Sequence, residues 1–211
     1  MIRVVLADDH PTVRLGVAHV LQQSGDIQVV AEASTGSELY DALRHQPCDV
    51  VLTDFSMPGG GADGLGMLDR LHRQWPTLPV VVLTMIGNPD TLHAMDVIGC
   101  TGICDKVAPM EEVVEAVRMA AAGHRYRSTS VQAALSTAAI GQGISLKGRL
   151  SPREVEVVRL IGEGLGLEAI AQRLHRSAKT VSRQKRDAMQ RLGLETDEAL
   201  VDYARRTRLV S

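Results

Sequence analysis

Val50-Val51-Leu52-Thr53-Asp54-Phe55-Ser56-Met57-Pro58 is the stretch on which the reading of this chain turns. A short β-branched, apolar run stops at a carboxylate and then at a proline. Such a run, without polar alternation, predicts a strand buried on both faces. Asp54 would then stand at the end of that strand. Similar runs lie on either side. Residues 3–7, 27–31 and 80–84 read as strands, and 102–104 as a weaker fifth. Amphipathic segments separate them. Val13, Val17, Val20 and Leu21 share one helical face, and Val113, Val117 and Ala120 another. Asn88-Pro89 has the form of a helix cap followed by a proline in the first turn. Strands alternating with helices up to about residue 123 predict a five-stranded parallel sheet with crossover helices. Ligands of such sheets sit beyond the carboxyl ends of the strands.

The carboxyl ends are where the chemistry collects. Asp8 and Asp9 end the first strand, Asp54 the third and Thr84 the fourth, and Lys106 follows the fifth. Taken singly, a paired Asp often only caps a helix, and a lone Thr or Lys at a strand end is mostly solvated. Taken together, three carboxylates at one sheet edge repel one another unless a cation sits among them. Hard oxygen donors with room for waters suit Mg²⁺. A carboxylate beside such a metal can act as a nucleophile toward a phosphoryl group, with a lysine and a hydroxyl to hold the other oxygens. The glycines at 59–61 invite a phosphate-cradle reading, but the lysine of a P-loop is missing.

From residue 124 to 148 the regular pattern fades into Ser, Thr, Ala, Gly and Gln, which predicts a linker with a short helix near 131–135. A second unit, 149–211, opens with Ser151-Pro152-Arg153-Glu154, a capping box with proline at the first helical position. Helices follow over 167–174, 177–192 and from Thr196 toward Arg206. With no strand between them, they predict a small all-α, four-helix domain. In the segment 177–192, Val181, Ala188 and Leu192 can face inward, while Lys179, Ser182, Arg183 and Arg186 form one outward stripe. A solvated face is the commoner meaning of such a stripe. Preceded by a short scaffold helix, it also fits a helix whose side chains reach a major groove. Arg176 and Lys185 lie beside it, within reach of phosphates.

Charge supports two jobs. Residues 1–148 carry 10 Lys+Arg against 16 Asp+Glu, or −6, and residues 149–211 carry 13 against 9, or +4, which sum to the net −2. The basic half is expected to face an anion. Aromatics at 2% make stacking on unpaired bases a poor main activity. Three cysteines without a CxxC pair exclude a disulfide framework or a zinc site as the natural reading, and they point to the reducing cytoplasm. No apolar run reaches membrane-spanning length, and Asp8 and Asp9 come too early for a signal peptide.

Ala7-Asp8-Asp9-His10-Pro11, residues 53–58, Leu83-Thr84-Met85 and Lys106 resemble the motif set of receiver domains. That resemblance implies a doubly wound five-stranded parallel sheet. It implies that Asp54 accepts phosphate from a histidine kinase or a histidine phosphotransfer protein. Asp9, Asp54 and the backbone carbonyl of Ser56 would hold Mg²⁺, Asp8 would assist through water, and Thr84 and Lys106 would bind the phosphoryl oxygens. Two departures stand out. Ile103 occupies a position where receivers often carry a switching aromatic, and the loop 58–64 is longer than the common form. Leu150-Ser151-Pro152-Arg153-Glu154, Ile170-Ala171, Lys179-Thr180-Val181 and Arg191-Leu192-Gly193-Leu194 resemble the LuxR-type helix-turn-helix domain. By that analogy Ser182, Arg183 and Arg186 read bases, and Lys179, Thr180 and Lys185 contact the backbone. The two domains together resemble the NarL/FixJ class of regulators and, within it, the RcsB group.

The expected function is a phosphorylation-switched transcription factor with double-stranded DNA as its partner. It would act as a homodimer, with a heterodimer with a second regulator left open, and without enzymatic turnover beyond its own phosphorylation and dephosphorylation. Two rivals are a constitutive DNA-binding regulator whose receiver is a protein-interaction module, and a Mg²⁺ phosphohydrolase on a similar sheet. The intact acceptor site speaks against the first, and the basic helical domain against the second.

Overall fold

The apolar runs become strands because both of their faces are covered. A computed structural model describes residues 1–57, 64–85, 87–141, 150–207 and 209. The expected long loop after Asp54, at residues 58–63, lies outside the described residues, as does the linker stretch 142–149. The strands are β1 (Ile2–Ala7), β2 (Ile27–Ala33), β3 (Val50–Asp54), β4 (Val80–Thr84) and β5 (Gly102–Asp105), joined by a short β6 (Tyr126–Arg127). All pair in parallel in the order β2-β1-β3-β4-β5-β6.

Alternation along each strand divides the core in two. Val4, Leu6, Leu52, Leu83 and Cys104 face α1 (Pro11–Gln23) and α5 (Met110–Ala121). Val5, Ala7, Val51, Val82 and Ile103 face the other side, with α2 (Gly36–His45), α3 (Gly64–Gln74) and α4 (Pro89–Ile98). The Asn88 side chain caps α4, accepting from the N–H groups of Asp90 at 2.9 Å and Thr91 at 3.1 Å. Cys100 and Cys104 are buried, and burial pushes both thiols up to about 12, so they remain protonated core residues.

A sixth strand corrects the expected count of five. Tyr126 N–H donates to Thr101 at 2.9 Å and Ser128 N–H to Ile103 at 3.0 Å, laying residues 126–127 along β5. The Arg127 guanidinium fastens the edge through the Thr101 and Cys100 carbonyls at 2.9 and 3.1 Å. A two-residue strand leaves no periodicity for a sequence to display. The helix expected near 131–135 falls within α6 (Thr129–Gly141), which packs on α4 and β5.

The second unit consists of α7 (Pro152–Gly162), α8 (Leu167–Arg173), α9 (Ala178–Leu192) and α10 (Asp197–Arg206). Ser151 and Glu154 form the expected capping box. Val157, Leu160, Ile170, Ala171 and Val181 make its own small core. It also docks on the first unit: α7 lies against α3 and α4, and Leu150, Val155, Val158, Leu200 and Ala204 continue the core beneath α3 and α4. Glu156 and Arg159 are buried at this junction and pair at 3.1 Å. The Leu65 N–H donates to Glu156 at 3.1 Å, and the Tyr203 hydroxyl donates to Asp90 at 3.1 Å. Gly64, at φ +55°, lets α3 start in this tight space, since a Cβ there would stand 3.1 Å from the Phe55 ring.

Gly102 has no room for a side chain either. A Cβ would stand 2.9 Å from both γ-carbons of Val81, its register partner on β4. Val81 is β-branched and fully buried, so it cannot swing away. Gly102→Ala should therefore destabilise the chain by about 1–3 kcal/mol through overpacking. Urea unfolding would show a lower midpoint at unchanged slope, and an unchanged midpoint would mean that the sheet yields.

Candidate functional site

The strand order fixes the site. From β1 the chain steps outward to β2 and then crosses back to β3 on the other side of β1. The crossovers diverge there and leave a crevice at the carboxyl ends of β1 and β3. Asp8 and Asp9 follow β1 into that crevice, and Asp54 is the last residue of β3. Single ligand atoms of Asp8, Asp9, His10 and Asp54 all lie within 4.8 Å of one another. Thr84 ends β4, one residue beyond Leu83, the register partner of Asp54, and it is buried. Ser56 is half-buried two residues past β3.

One ammonium holds the buried carboxylates together. Lys106 Nζ lies 2.8 Å from Asp8 Oδ2 and 2.8 Å from Asp54 Oδ2, with only 12% of its side chain exposed. The Lys106 N–H donates to the Thr84 carbonyl at 2.9 Å, which tethers the lysine to the end of β4. Burial holds the Asp54 carboxyl above the usual carboxylate range, and the charge of Asp8 adds to the rise. The hydrogen bond and charge of Lys106 oppose it. Burial by itself would lower Lys106, but the two carboxylates outweigh it and keep the ammonium charged. Asp9 is only half-buried and pairs with His10 at 2.7 Å. Nothing in the sequence singles out His10, whose role depends on proximity rather than on pattern.

These donors fit Mg²⁺. The cluster gathers three carboxylates against one lysine, so a hard dication would relieve the charge that burial penalises. Asp8, Asp9, Asp54 and the Ser56 carbonyl are the groups that would hold it.

Ile103 is fully buried against Val82 on the α4 side of the sheet. A stiff β-branched side chain already in the core cannot swing between surface and interior. No switch of the aromatic kind is available at this position.

On α9 the inward set is Val181 and Ala188, both fully buried, with Leu192 half-buried. Lys179, Arg183 and Arg186 are exposed, and Thr180 and Ser182 are half-buried. The receiver-side docking therefore leaves the outward stripe uncovered. Lys185, expected to contact the DNA backbone, has its ammonium 2.5 Å from Asp197 at the start of α10, with its side chain 17% exposed. The sequence places Asp197 12 residues away, across a helix end whose turn decides the meeting.

Residues 4–118 match the response regulator receiver domain, and residues 148–204 match the LuxR family of bacterial regulatory proteins. The chain is a response regulator. It carries a LuxR-type DNA-binding domain and is a transcription regulator of the RcsB-like kind. The transcriptional regulatory protein RcsB of Escherichia coli (strain K12) is 38% identical over 201 residues, covering 95% of this chain and 92% of that one. The oxygen regulatory protein NreC of Staphylococcus aureus (strain JH9) is 33% identical, covering 99% of each. RcsB from Salmonella enterica serovar Typhimurium, bound to promoter rprA in the presence of phosphomimetic BeF3-, superposes with a TM-score of 0.83 at 37% identity, covering 96% and 97% of the two chains. Another RcsB–DNA complex gives 0.66 at 36% identity, covering 97% and 98%. Among the described residues no helix of this response regulator is long and apolar enough to cross a membrane.

Removing the lysine should expose how much the cluster costs. Lys106→Met leaves two buried carboxylates without their shared partner. In buffer containing a chelator, unfolding should show a loss of about 3 kcal/mol, typical of breaking a buried pair. A loss near zero would mean that the carboxylates are hydrated or already neutral.

Proposed function

We propose that this response regulator is switched by phosphorylation of Asp54 and that the switch modulates sequence-specific binding of double-stranded DNA through α9. The observation that carries the reading is the buried Asp54 carboxylate, held by Lys106 and flanked by Asp8 and Asp9 at the crevice of the sheet. An Asp54 oxygen attacks the phosphorus of a phosphohistidine on a kinase or phosphotransfer protein, and the bond from phosphorus to the histidine nitrogen breaks. Bound Mg²⁺ supplies neutralisation of the oxygens in transit. Asp8, Asp9, Asp54 and the Ser56 carbonyl would hold that ion. Lys106 and the Thr84 hydroxyl take the phosphoryl oxygens, and Lys106 gives up its bond to Asp54 in doing so. The protein turns over no free substrate apart from its own phosphorylation and dephosphorylation.

Two of the hydrogen bonds between the receiver and the helical domain start in segments tied to this site. α3 follows β3 and its first turn donates to Glu156; α4 follows β4 and its first turn receives the Tyr203 hydroxyl. Movement at Asp54 and Thr84 thus has a physical route to the docking of α7 and α10. Pairing of two copies on DNA is supported by the two RcsB dimers seen on parallel DNAs and by the small reach of one helical domain. On this reading Ser182, Arg183 and Arg186 read base edges, and Lys179, Thr180 and Lys185 contact the backbone, Lys185 exchanging Asp197 for a phosphate.

Asp54→Asn keeps the shape and removes the nucleophile. It should take up no phosphate from acetyl phosphate and show no phosphorylation-dependent change in DNA affinity, and Asp9→Ala should bind Mg²⁺ more weakly in a titration. Uptake at the wild-type extent by the Asn variant would assign the acceptor elsewhere. DNA affinity equal with and without phosphate on the wild type would favour the constitutive regulator.

Arg186→Ala should cost about 1–3 kcal/mol on the preferred duplex and flatten the preference among sequences, as expected for loss of a bidentate guanine contact. Titration on selected and random duplexes decides it. An equal loss on both would make Arg186 a phosphate contact.

A further inference from the structure

Beside α9, where the helical domain meets α3, lies a cleft of about 490 Å³. Two of its arginines, Arg70 and Arg73, come from α3 of the receiver. Arg153, His175 and Arg176 come from the helical domain, and Thr180 from the first turn of α9. Asp69 is the one carboxylate among the described residues that line it, and it is bonded to Arg73 at 2.8 Å. The Arg70 guanidinium lies 4.2 Å over the Tyr40 ring, a cation–π contact that holds it at the cleft wall. Arg176 donates to Gln184 at 3.1 Å. Burial lowers Arg176 from its ordinary value, and the charge of Arg153 lowers it further. Four guanidiniums line the cleft against one lining carboxylate, an excess of positive charge that an anion would relieve.

The position of the cleft decides which anion. Thr180 borders it, and the exposed Lys179, Arg183 and Arg186 lie on adjoining faces of the same helix. A duplex lying on that stripe would bring its sugar-phosphate edge to the mouth of the cleft. Arg73 is the receiver residue best placed to meet it, since 70% of its side chain is exposed and its partner is only an i, i+4 carboxylate. We propose that the cleft receives a backbone phosphate of bound DNA, so that Arg73 and Arg70 of the receiver form part of the DNA-binding surface when the two domains are docked. This rests on α9 being the DNA-facing helix. It gives the receiver a direct, sequence-independent share in binding, one that exists only while α3 and α7 stay together.

Two substitutions that break the same ion pair separate this from a structural effect. Arg73→Gln removes a cation from the cleft, and Asp69→Asn removes its carboxylate. In the full chain, Arg73→Gln should weaken selected and random duplexes alike, by about threefold to tenfold at low salt, and lower the salt slope by about 0.9. Asp69→Asn should tighten both duplexes and leave the preference between them unchanged. Opposite signs support the proposal. Weakening by both, or no change by either while Arg186→Ala still loses affinity, overturns it and leaves α9 as the reader. If Arg186→Ala also changes nothing, the DNA-facing assignment of α9 fails and this proposal falls with it. A titration with inorganic phosphate forms the last arm. Saturable binding that Arg73→Gln abolishes, with duplex affinity untouched, would make the cleft a small-anion site and overturn the DNA assignment.

Discussion

Two buried carboxylates share one ammonium at the carboxyl edge of the sheet, and the molecule is arranged around that balance. Asp8 and Asp54 come from neighbouring strands, and Lys106 reaches both at 2.8 Å. The lysine is held there by the strand that precedes it and by its N–H on Thr84. Charge buried in this way is costly unless its partners are fixed. Parallel strands fix them, because each strand end is anchored by its neighbours and by helices on both faces.

The same edge is where the helical domain gains its hold. The segments that leave β3 and β4 become α3 and α4, and these are the helices on which α7 sits. The junction contains a buried ion pair, Glu156 with Arg159, and Glu156 also receives the Leu65 N–H. A buried carboxylate with several donors has little freedom to shift alone. Displacement of α3 would have to be met by α7, which makes the junction a two-sided contact rather than a tether. Ile103 is locked in the core, so no aromatic rotates at that site, and on the proposed reading communication runs through helix positions.

Docking in this arrangement does not bury the face of α9 that carries Lys179, Arg183 and Arg186. The opposite side of α9 is covered by α7 and α8 of the helical domain itself, where Gln184 is buried and Val181 and Ala188 belong to the core. The helical domain is therefore presented by the receiver, with its basic stripe outward. The arginines of α3 extend that basic surface across the domain boundary.

The sequence by itself determined the five principal strands, their parallel pairing and the cluster of Asp8, Asp9, Asp54, Thr84 and Lys106. Apolar runs buried on both faces are written continuously in the chain, and residues at strand ends must meet at one edge. It also determined the capping box of α7 and the outward stripe of α9, because both are local patterns of spacing. Tertiary structure alone decided the two-residue β6, which is defined by hydrogen bonds to β5 and has no period of its own. It decided that Lys185 turns to Asp197, that Glu156 and Arg159 are buried, and that Arg73 lines one cleft with Thr180. Each of these depends on how separate elements pack, α9 with α10 and α7 with α3 and α4, a fit of surfaces that no local spacing encodes.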